Sequence, residues 1–216
     1  MKQKFRKMIT LAVMPVLALL VMTSAKSPSE GYKVGDNARD FTLKNIDGSM
    51  VSLSNYNLAT KGAIVIFTCN HCPVAQAYQD RIIALNNKYQ SQGYPVIAIN
   101  SNDAEAVTAD SYENMKLRAK EKGFNFPYLI DQTQEIATAY GATKTPHVFV
   151  LQKEGNAFKV KYIGAIDDNK DDASAVKHKY VETAVNELLA GKQVSQNFTK
   201  AIGCGIKWKT ASASSN

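Results

Sequence analysis

The stretch Cys69-Asn70-His71-Cys72-Pro73 places two cysteines between a predicted strand and a predicted helix. Residues 62–67 before it are apolar without a break, which is typical of a short strand buried on both faces. Residues 73–89 after it repeat apolar side chains at helical spacing. The partial positive charge at a helix N-terminus favours a thiolate over a thiol. We therefore expect Cys69 to be the more exposed and more acidic of the two cysteines.

The spacing of Cys69 and Cys72 predicts a site of dithiol–disulfide exchange. A thiolate at Cys69 can attack a disulfide, and a cysteine three residues later can resolve the mixed disulfide and release the product. Half of a zinc site is one alternative, but zinc knuckles usually add a second ligand pair at short range and this sequence has none there. Two small buried hydrophobic residues are the other alternative.

The N-terminal residues 1–25 have the pattern of a signal peptide. Four of residues 2–7 are basic (Lys2, Lys4, Arg6 and Lys7), residues 8–22 form an apolar stretch without a charge, and residues 23–25 are small. The apolar run is shorter than the roughly 20 residues of a membrane-spanning helix, so cleavage is favoured over retention as an anchor. We expect an exported protein of the periplasm or cell envelope.

Net charge, chain length and the number of cysteines exclude several classes of function. The whole chain has a net charge of +7, and without residues 1–25 it keeps 22 basic and 19 acidic residues, a net charge of +3. No basic cluster is interleaved with aromatic side chains, so no nucleic-acid partner is predicted. The remaining 191 residues are enough for one well-buried domain, and three cysteines are too few for a disulfide scaffold.

Periodicity and turn residues predict an α/β domain over 34–191, between a linker (26–33) and a tail (192–216) that carries Cys204. An N-terminal β-hairpin turns at Asp47-Gly48. A second buried strand over 95–100 makes the cysteine region a βαβ unit with parallel strands. The remaining predicted elements are helices over 110–122, 132–140 and 176–190, a short extended segment over 126–130, and a second hairpin over 147–163.

Thr145-Pro146, just before the strand over 147–151, completes a pattern that resembles a known family. The chain resembles thioredoxin-fold redoxins, in the branch of exported thiol–disulfide oxidoreductases and alkyl-hydroperoxide-reductase/thiol-specific-antioxidant (AhpC/TSA) proteins. The resemblance implies a thioredoxin-like fold with a central mixed β-sheet flanked by helices. The matching segments, in that family's order, are 35–43, 69–73, 126–131, 140–142 and 145–165, and the tail segment 203–209 resembles that of some redoxins with the same cysteine motif.

The resemblance also implies the surroundings of the cysteines. The Thr145–Pro146 bond is expected to be cis and to face Cys69 and Cys72, which exposes the Thr145 backbone to a substrate chain that adds as a short strand. The implied partners are protein thiols or disulfides and a membrane or soluble electron-transfer protein. We expect a monomer without a cofactor.

His71 immediately precedes Cys72, as in strongly oxidising disulfide oxidases. An imidazole there can stabilise the Cys69 thiolate and make the couple more oxidising, although an exposed helix-start residue without a role is the simpler interpretation. The strand over 62–67 contains no acid that could assist the resolving cysteine. The candidate acids are Asp103, Asp131, Asp167 and Asp168.

Two other functions compete with disulfide exchange. Peroxiredoxins place a threonine three residues before the reactive cysteine, but Ile66 holds that position before Cys69, and Cys69 itself holds it before Cys72. A copper or zinc module would use Cys69, Cys72 and the histidines His71 and His147.

Cys204 lies between two glycines, beyond the last predicted helix. It could be a third redox cysteine, a partner for Cys69 or Cys72, or a free thiol. We expect Ile206 and Trp208 to dock the tail on the domain. A permanent bond to the active-site pair would block exchange, so Cys204 is predicted to be the free thiol of the oxidised protein.

Overall fold

The computed structural model describes residues 31–56 and 60–210. The predicted signal peptide lies outside these residues. Within the described ranges, no helix is both long enough and apolar enough to cross a membrane.

The helices and strands follow the predicted order. The strands are β1 (Thr42–Asn45), β2 (Met50–Ser52), β3 (Gly62–Phe67), β4 (Val96–Asn100), β5 (Tyr128–Ile130), β6 (Lys144–Thr145), β7 (His147–Glu154), β8 (Ala157–Gly164) and β9 (Cys204–Gly205). The helices are α1 (Pro73–Ala77), α2 (Gln79–Tyr89), α3 (Tyr112–Lys122), α4 (Glu135–Tyr140) and α5 (Tyr180–Leu189).

Seven strands form one mixed sheet in the order β2-β1-β5-β4-β3-β7-β8. β3 runs parallel to β4 and antiparallel to β7, and both hairpins form as predicted. β6 and β9 form a separate antiparallel pair. The βαβ unit therefore lies at the centre of the sheet, and the carboxyl end of β3 delivers the chain to the two cysteines.

The two faces of the sheet bury separate apolar cores. Alternate β3 residues Ile64 and Ile66 face a core shared with α2, α3 and α5, whereas Val65 and Phe67 face a core shared with α4. Ile206 of the tail is buried in this second core. The tail is therefore part of the folded domain, as its apolar residues predicted, although Trp208 is 43% exposed.

The predicted single helix over 73–89 is wrong at Tyr78. Tyr78 separates α1 from α2, and its N–H bonds to the carbonyl of Ala75, three residues back. Its buried hydroxyl donates to Asp167 at 2.9 Å. The periodicity of apolar residues continues through this break, so the sequence pattern could not reveal it.

The predicted helix over 110–122 begins two residues later than expected. Ser111 caps α3 and accepts a hydrogen bond from the N–H of Asn114. Asp110 instead ends a short 3-10 turn, Thr108–Asp110, and its carboxylate is free to point into the protein.

Candidate active site

Both cysteines of the motif are buried where β3 ends and α1 begins. Cys72 is the N-cap residue of α1, and Cys69 lies three residues earlier, outside the helix. Only 1% of Cys69 and 0% of Cys72 is exposed to solvent. The prediction that Cys69 is exposed is therefore wrong, because Cys204 of the tail packs against both residues.

A disulfide joins Cys72 to Cys204, with the two Cα atoms 5.9 Å apart. Cys69 is the free thiol. The prediction that Cys204 is the free thiol is wrong, and a direct Cys69–Cys72 bond is absent from this form of the protein. The cause lies in the antiparallel pairing of β9 with β6, which sets Cys204 opposite Thr145.

The pKa of the Cys69 thiol is raised to about 11, chiefly by burial and to a smaller extent by the negative charge of Asp110. Hydrogen bonds from Thr145, Cys72 and Asn102 act in the opposite direction. The Cys69 Sγ lies 3.2 Å from the Thr145 hydroxyl oxygen. The predicted acidic thiolate is therefore wrong for this form, since Cys69 is protonated at neutral pH.

A buried carboxylate, Asp110, organises the loop that carries the cysteines. Its Oδ1 accepts hydrogen bonds from the backbone N–H of Asn70 at 2.6 Å and from Asn100 Nδ2 at 3.2 Å. Its Oδ2 accepts one from Asn102 Nδ2 at 2.8 Å and lies 2.5 Å from His71 Nδ1. Asp110 is the acid that the sequence analysis missed.

The four acids proposed from the sequence have other positions. Asp131 and Asp167 are buried, but Asp131 accepts from the first N–H groups of α4 and Asp167 binds Tyr78 and Arg81. Asp103 and Asp168 accept from nearby backbone N–H groups of Glu105 and Lys177. The available signal for Asp110 was positional: polar residues that follow β4 lie at the sheet edge where β3 delivers Cys69.

His71 lies between Asp110 and the cysteine cluster. Its side chain is 22% exposed, so the imidazole can exchange protons with solvent. One potential metal-ligand atom from each of Cys69, His71 and Asp110 falls in a group whose members are all within 4.8 Å. Both Asp110 oxygens already accept hydrogen bonds, which argues against their use as metal ligands.

His147 does not join this group of potential ligands. Its Nδ1 accepts from the N–H of Thr143, and its ring packs on Phe149. Burial lowers the pKa of His147 to about 4, so the ring is neutral at pH 7. The alternative metal set of Cys69, Cys72, His71 and His147 is therefore not assembled, because Cys72 is also held in the disulfide.

The Thr145–Pro146 bond is cis and lies against the cysteines, as the resemblance implied. The Thr145 carbonyl oxygen is 3.4 Å from the Cys72 Sγ. β9 occupies the Thr145 backbone edge, with Thr145 opposite Cys204 and Lys144 opposite Gly205. The edge expected to receive a substrate strand is thus filled by the chain's own tail.

A scan of protein families matches residues 34–180 to the AhpC/TSA family model. The chain belongs to the AhpC/TSA family. This match confirms the resemblance that the sequence motifs indicated, and it spans the sheet, both motif cysteines and Thr145–Pro146.

Relatives of this AhpC/TSA protein agree with that assignment. The thiol–disulfide oxidoreductase ResA of Geobacillus thermodenitrificans is 25% identical over 158 residues, which cover 72% of this chain and 84% of the relative. A crystal structure of an uncharacterised conserved protein from Geobacillus kaustophilus is 38% identical, with a TM-score of 0.77, and the match covers 85% of this chain and 96% of that one.

An exposed lipoprotein thioredoxin from Streptococcus pneumoniae shares the fold. It has a TM-score of 0.51 at 21% identity, over 71% of this chain and 99% of that one. These matches confirm the thioredoxin-like fold and the predicted class of activity, thiol–disulfide oxidoreductase.

Proposed function

We propose that the chain exchanges disulfides with protein thiols through Cys72 and Cys69, and that Cys72 carries the mixed disulfide while Cys69 resolves it. This order reverses the roles predicted from the sequence. One observation carries the proposal: Cys72 is bonded to a cysteine in the position of a substrate strand, while Cys69 is a free thiol in the same cluster.

The helix geometry supports Cys72 as the cysteine that bonds the substrate. Cys72 is the N-cap residue of α1, where the first backbone N–H groups of the helix have no helical partner. These groups and the helix dipole stabilise a thiolate at Cys72 whenever it leaves a disulfide. Cys69 lacks this position, and its pKa is raised by burial.

The Asp110–His71 pair supports proton transfer from Cys69. A carboxylate accepts hydrogen bonds, so Asp110 favours the tautomer of His71 with the proton on Nδ1 and leaves Nε2 as an acceptor. We propose that Nε2 takes the proton of Cys69 as its sulfur attacks the Cys72 disulfide. Partial exposure of His71 lets that proton reach solvent.

Trapping of mixed disulfides tests the assignment of the two cysteines. A protein disulfide substrate, attacked by the Cys72 thiolate, should accumulate as a mixed disulfide on Cys72 in Cys69→Ser, in a Cys204→Ser background that keeps the tail from competing. Accumulation on Cys69 in Cys72→Ser would restore the order predicted from the sequence. We expect both variants to lose exchange with a small aromatic disulfide. Cys204→Ser alone should keep it.

Thiol peroxidase is the second candidate. The bond between a helix-capping cysteine, Cys72, and the sequence-distant Cys204 is also what peroxide oxidation followed by resolution would leave. Peroxide consumption that needs Cys72 and Cys204 but not Cys69 would favour this function over disulfide exchange.

Export is a separate proposal. The basic, apolar and small residues of 1–25 support a cleaved signal peptide. The disulfide also supports export, because disulfides form and persist in oxidising compartments. Mass spectrometry of the cell-envelope fraction should find a mature chain that begins at Lys26. A full-length chain in the cytoplasm would contradict this proposal.

A further inference from the structure

We infer that the tail segment, residues 203–209, is an internal substitute for the substrate, and that the site takes extended protein segments with glycine directly before the reactive cysteine. The inference rests on the proposed function. It explains why the edge of β6 is filled while Cys69 remains free.

Strand pairing places the tail where a substrate would lie. Cys204 stands opposite Thr145, whose hydroxyl is 3.2 Å from the Cys69 Sγ and whose carbonyl oxygen is 3.4 Å from the Cys72 Sγ. Any chain that pairs with β6 in this register therefore brings its own cysteine to both motif sulfurs.

Gly203 shows what the site demands of the residue before that cysteine. A Cβ atom at position 203 would lie 2.1 Å from the Thr145 carbonyl oxygen and 2.7 Å from its carbon, and both are backbone atoms that cannot move aside. At Gly205, on the other side of the cysteine, a Cβ would meet nothing within 4 Å. The site therefore selects glycine before the cysteine and tolerates a side chain after it.

Beyond the cysteine, the site holds the tail mainly by its backbone. The Ile206 N–H donates to the Thr143 carbonyl at 3.2 Å, and the Lys207 N–H donates to Asn102 Oδ1 at 2.8 Å. The Ile206 side chain is 6% exposed, which adds one apolar position to the recognised pattern. Backbone contacts suit chains of varied sequence.

Gln134 acts as a clamp on the tail. Its side-chain amide donates to the Lys207 carbonyl and accepts from the Lys209 N–H, each at 2.8 Å. Its backbone φ is 62°, and within the described ranges no other non-glycine residue has a positive φ. A left-handed backbone is unfavourable for glutamine and persists where surrounding contacts hold it.

Opening the site is a balanced exchange within the chain. The Cys69 sulfur loses its proton and attacks the Cys72 Sγ, the Cys72–Cys204 bond breaks, and Cys204 leaves as a thiolate that takes up the proton. The product has a Cys69–Cys72 disulfide and a free Cys204 thiol, with no net oxidation. A substrate thiolate paired with β6 then attacks Cys72 and releases Cys69.

The tail competes with substrate as an intramolecular ligand, at a high effective concentration. Substitution of Gly203→Ala should expel it, and Gly205→Ala, on the other side of Cys204, is the matched control. Peptide mapping of the oxidised full chain should find Cys72–Cys204 in the natural protein and in Gly205→Ala, but Cys69–Cys72 in Gly203→Ala and in Cys204→Ser.

A peptide with the sequence of residues 202–209 and a free thiol is the probe. It should form mixed disulfide with oxidised Gly203→Ala and Cys204→Ser about tenfold or more faster than with the natural protein, because the competitor is gone. A second peptide, with alanine in place of the glycine before its cysteine, should react with neither variant above the rate of free cysteine.

Equal rates for the two peptides, or a Cys69–Cys72 bond in the natural protein, would overturn the inference. Exchange of a small aromatic disulfide by reduced Cys204→Ser reports the proposed function separately, since that reagent needs no strand pairing. If this reagent is exchanged normally but the two peptides react at equal rates, the inference fails and the proposed function stands. If the reagent is not exchanged, the proposed function fails.

Discussion

The free thiol, Cys69, has its chemistry set by what surrounds it. It is buried beside the Thr145 hydroxyl, and Asp110 adds a negative charge nearby. Both influences favour the thiol over the thiolate. While the Cys72–Cys204 disulfide is in place, Cys69 is the only free thiol within the described residues, and it is unreactive. It becomes reactive when the tail leaves the site.

Alkylation of Cys69 should report this protection. With a pKa near 11, the thiolate fraction and the alkylation rate should rise about tenfold per pH unit between pH 7 and 10. Reduced Cys204→Ser should alkylate faster at Cys69 at pH 7, as read by peptide mapping, because loss of the covering tail reduces the burial that raises the pKa. A rate in the natural protein that levels off near pH 8 would contradict the raised pKa.

Asp110→Asn separates the two effects of the carboxylate. Removing the charge should lower the pKa of Cys69, because Asp110 raises it. It should also slow disulfide exchange at pH 7 by about tenfold or more, because His71 loses the partner that fixes its tautomer. Alkylation against pH and single-turnover exchange measure the two effects. Asp103→Asn, in the same loop, should change neither.

At the scale of elements, Asp131 shows that a buried acid near the site need not take part in chemistry. It accepts hydrogen bonds from Ser101 and from the N–H groups of Ile136 and Ala137 at the start of α4. Its carboxylate therefore fastens α4 to the end of β4.

Asp131→Ala should lower the free energy of unfolding by about 2–4 kcal/mol, because it leaves buried donors without an acceptor. Urea unfolding measures this loss. The variant that remains folded should exchange a small disulfide at the natural rate. A change in rate without a change in stability would give Asp131 a role in the reaction.

The elements differ in how far the sequence could predict them. Continuous apolar runs fixed β3 and β4, and Asp47-Gly48 fixed the first hairpin, because each signal is local. The break at Tyr78 depends on its hydroxyl contact with Asp167, 89 residues away. Contacts of that kind leave no periodicity.

The candidate site divides in the same way. Cys69 and Cys72 follow from their motif and the cis Thr145–Pro146 bond from the family resemblance, whereas Asp110 reaches them through a 3-10 turn that has no pattern of its own. The sequence offered Cys204 as a possible partner of Cys72 but could not choose this alternative, because the bond depends on the pairing of the tail with β6.

At the scale of the whole molecule, buried His147 links stability to pH. Its pKa is lowered from 6.5 to about 4 by burial, so the unfolded chain binds this proton more readily than the folded one. Stability from this group is complete above pH 6.5 and is lost as the pH falls towards 4. The full loss amounts to about 3 kcal/mol.

His147→Asn removes the titrating ring and keeps an acceptor for the Thr143 N–H. Its free energy of unfolding should fall less than that of the natural protein between pH 7 and pH 4.5. Urea unfolding at both pH values gives the difference. Parallel losses in the two proteins would show that His147 does not carry this part of the acid sensitivity.

The bond from Cys72 to Cys204 also changes how the molecule would respond to a pulling force. The two cysteines are 132 residues apart, so the bond closes the chain from the start of α1 to β9 into a covalent ring. Handles attached on either side of the ring could not stretch the chain inside it. Transfer of the bond to Cys69 would release about 450 Å of contour length from those 132 residues. The extended length of a single molecule under a pulling force would therefore show whether Cys72 is bonded to Cys204 or to Cys69.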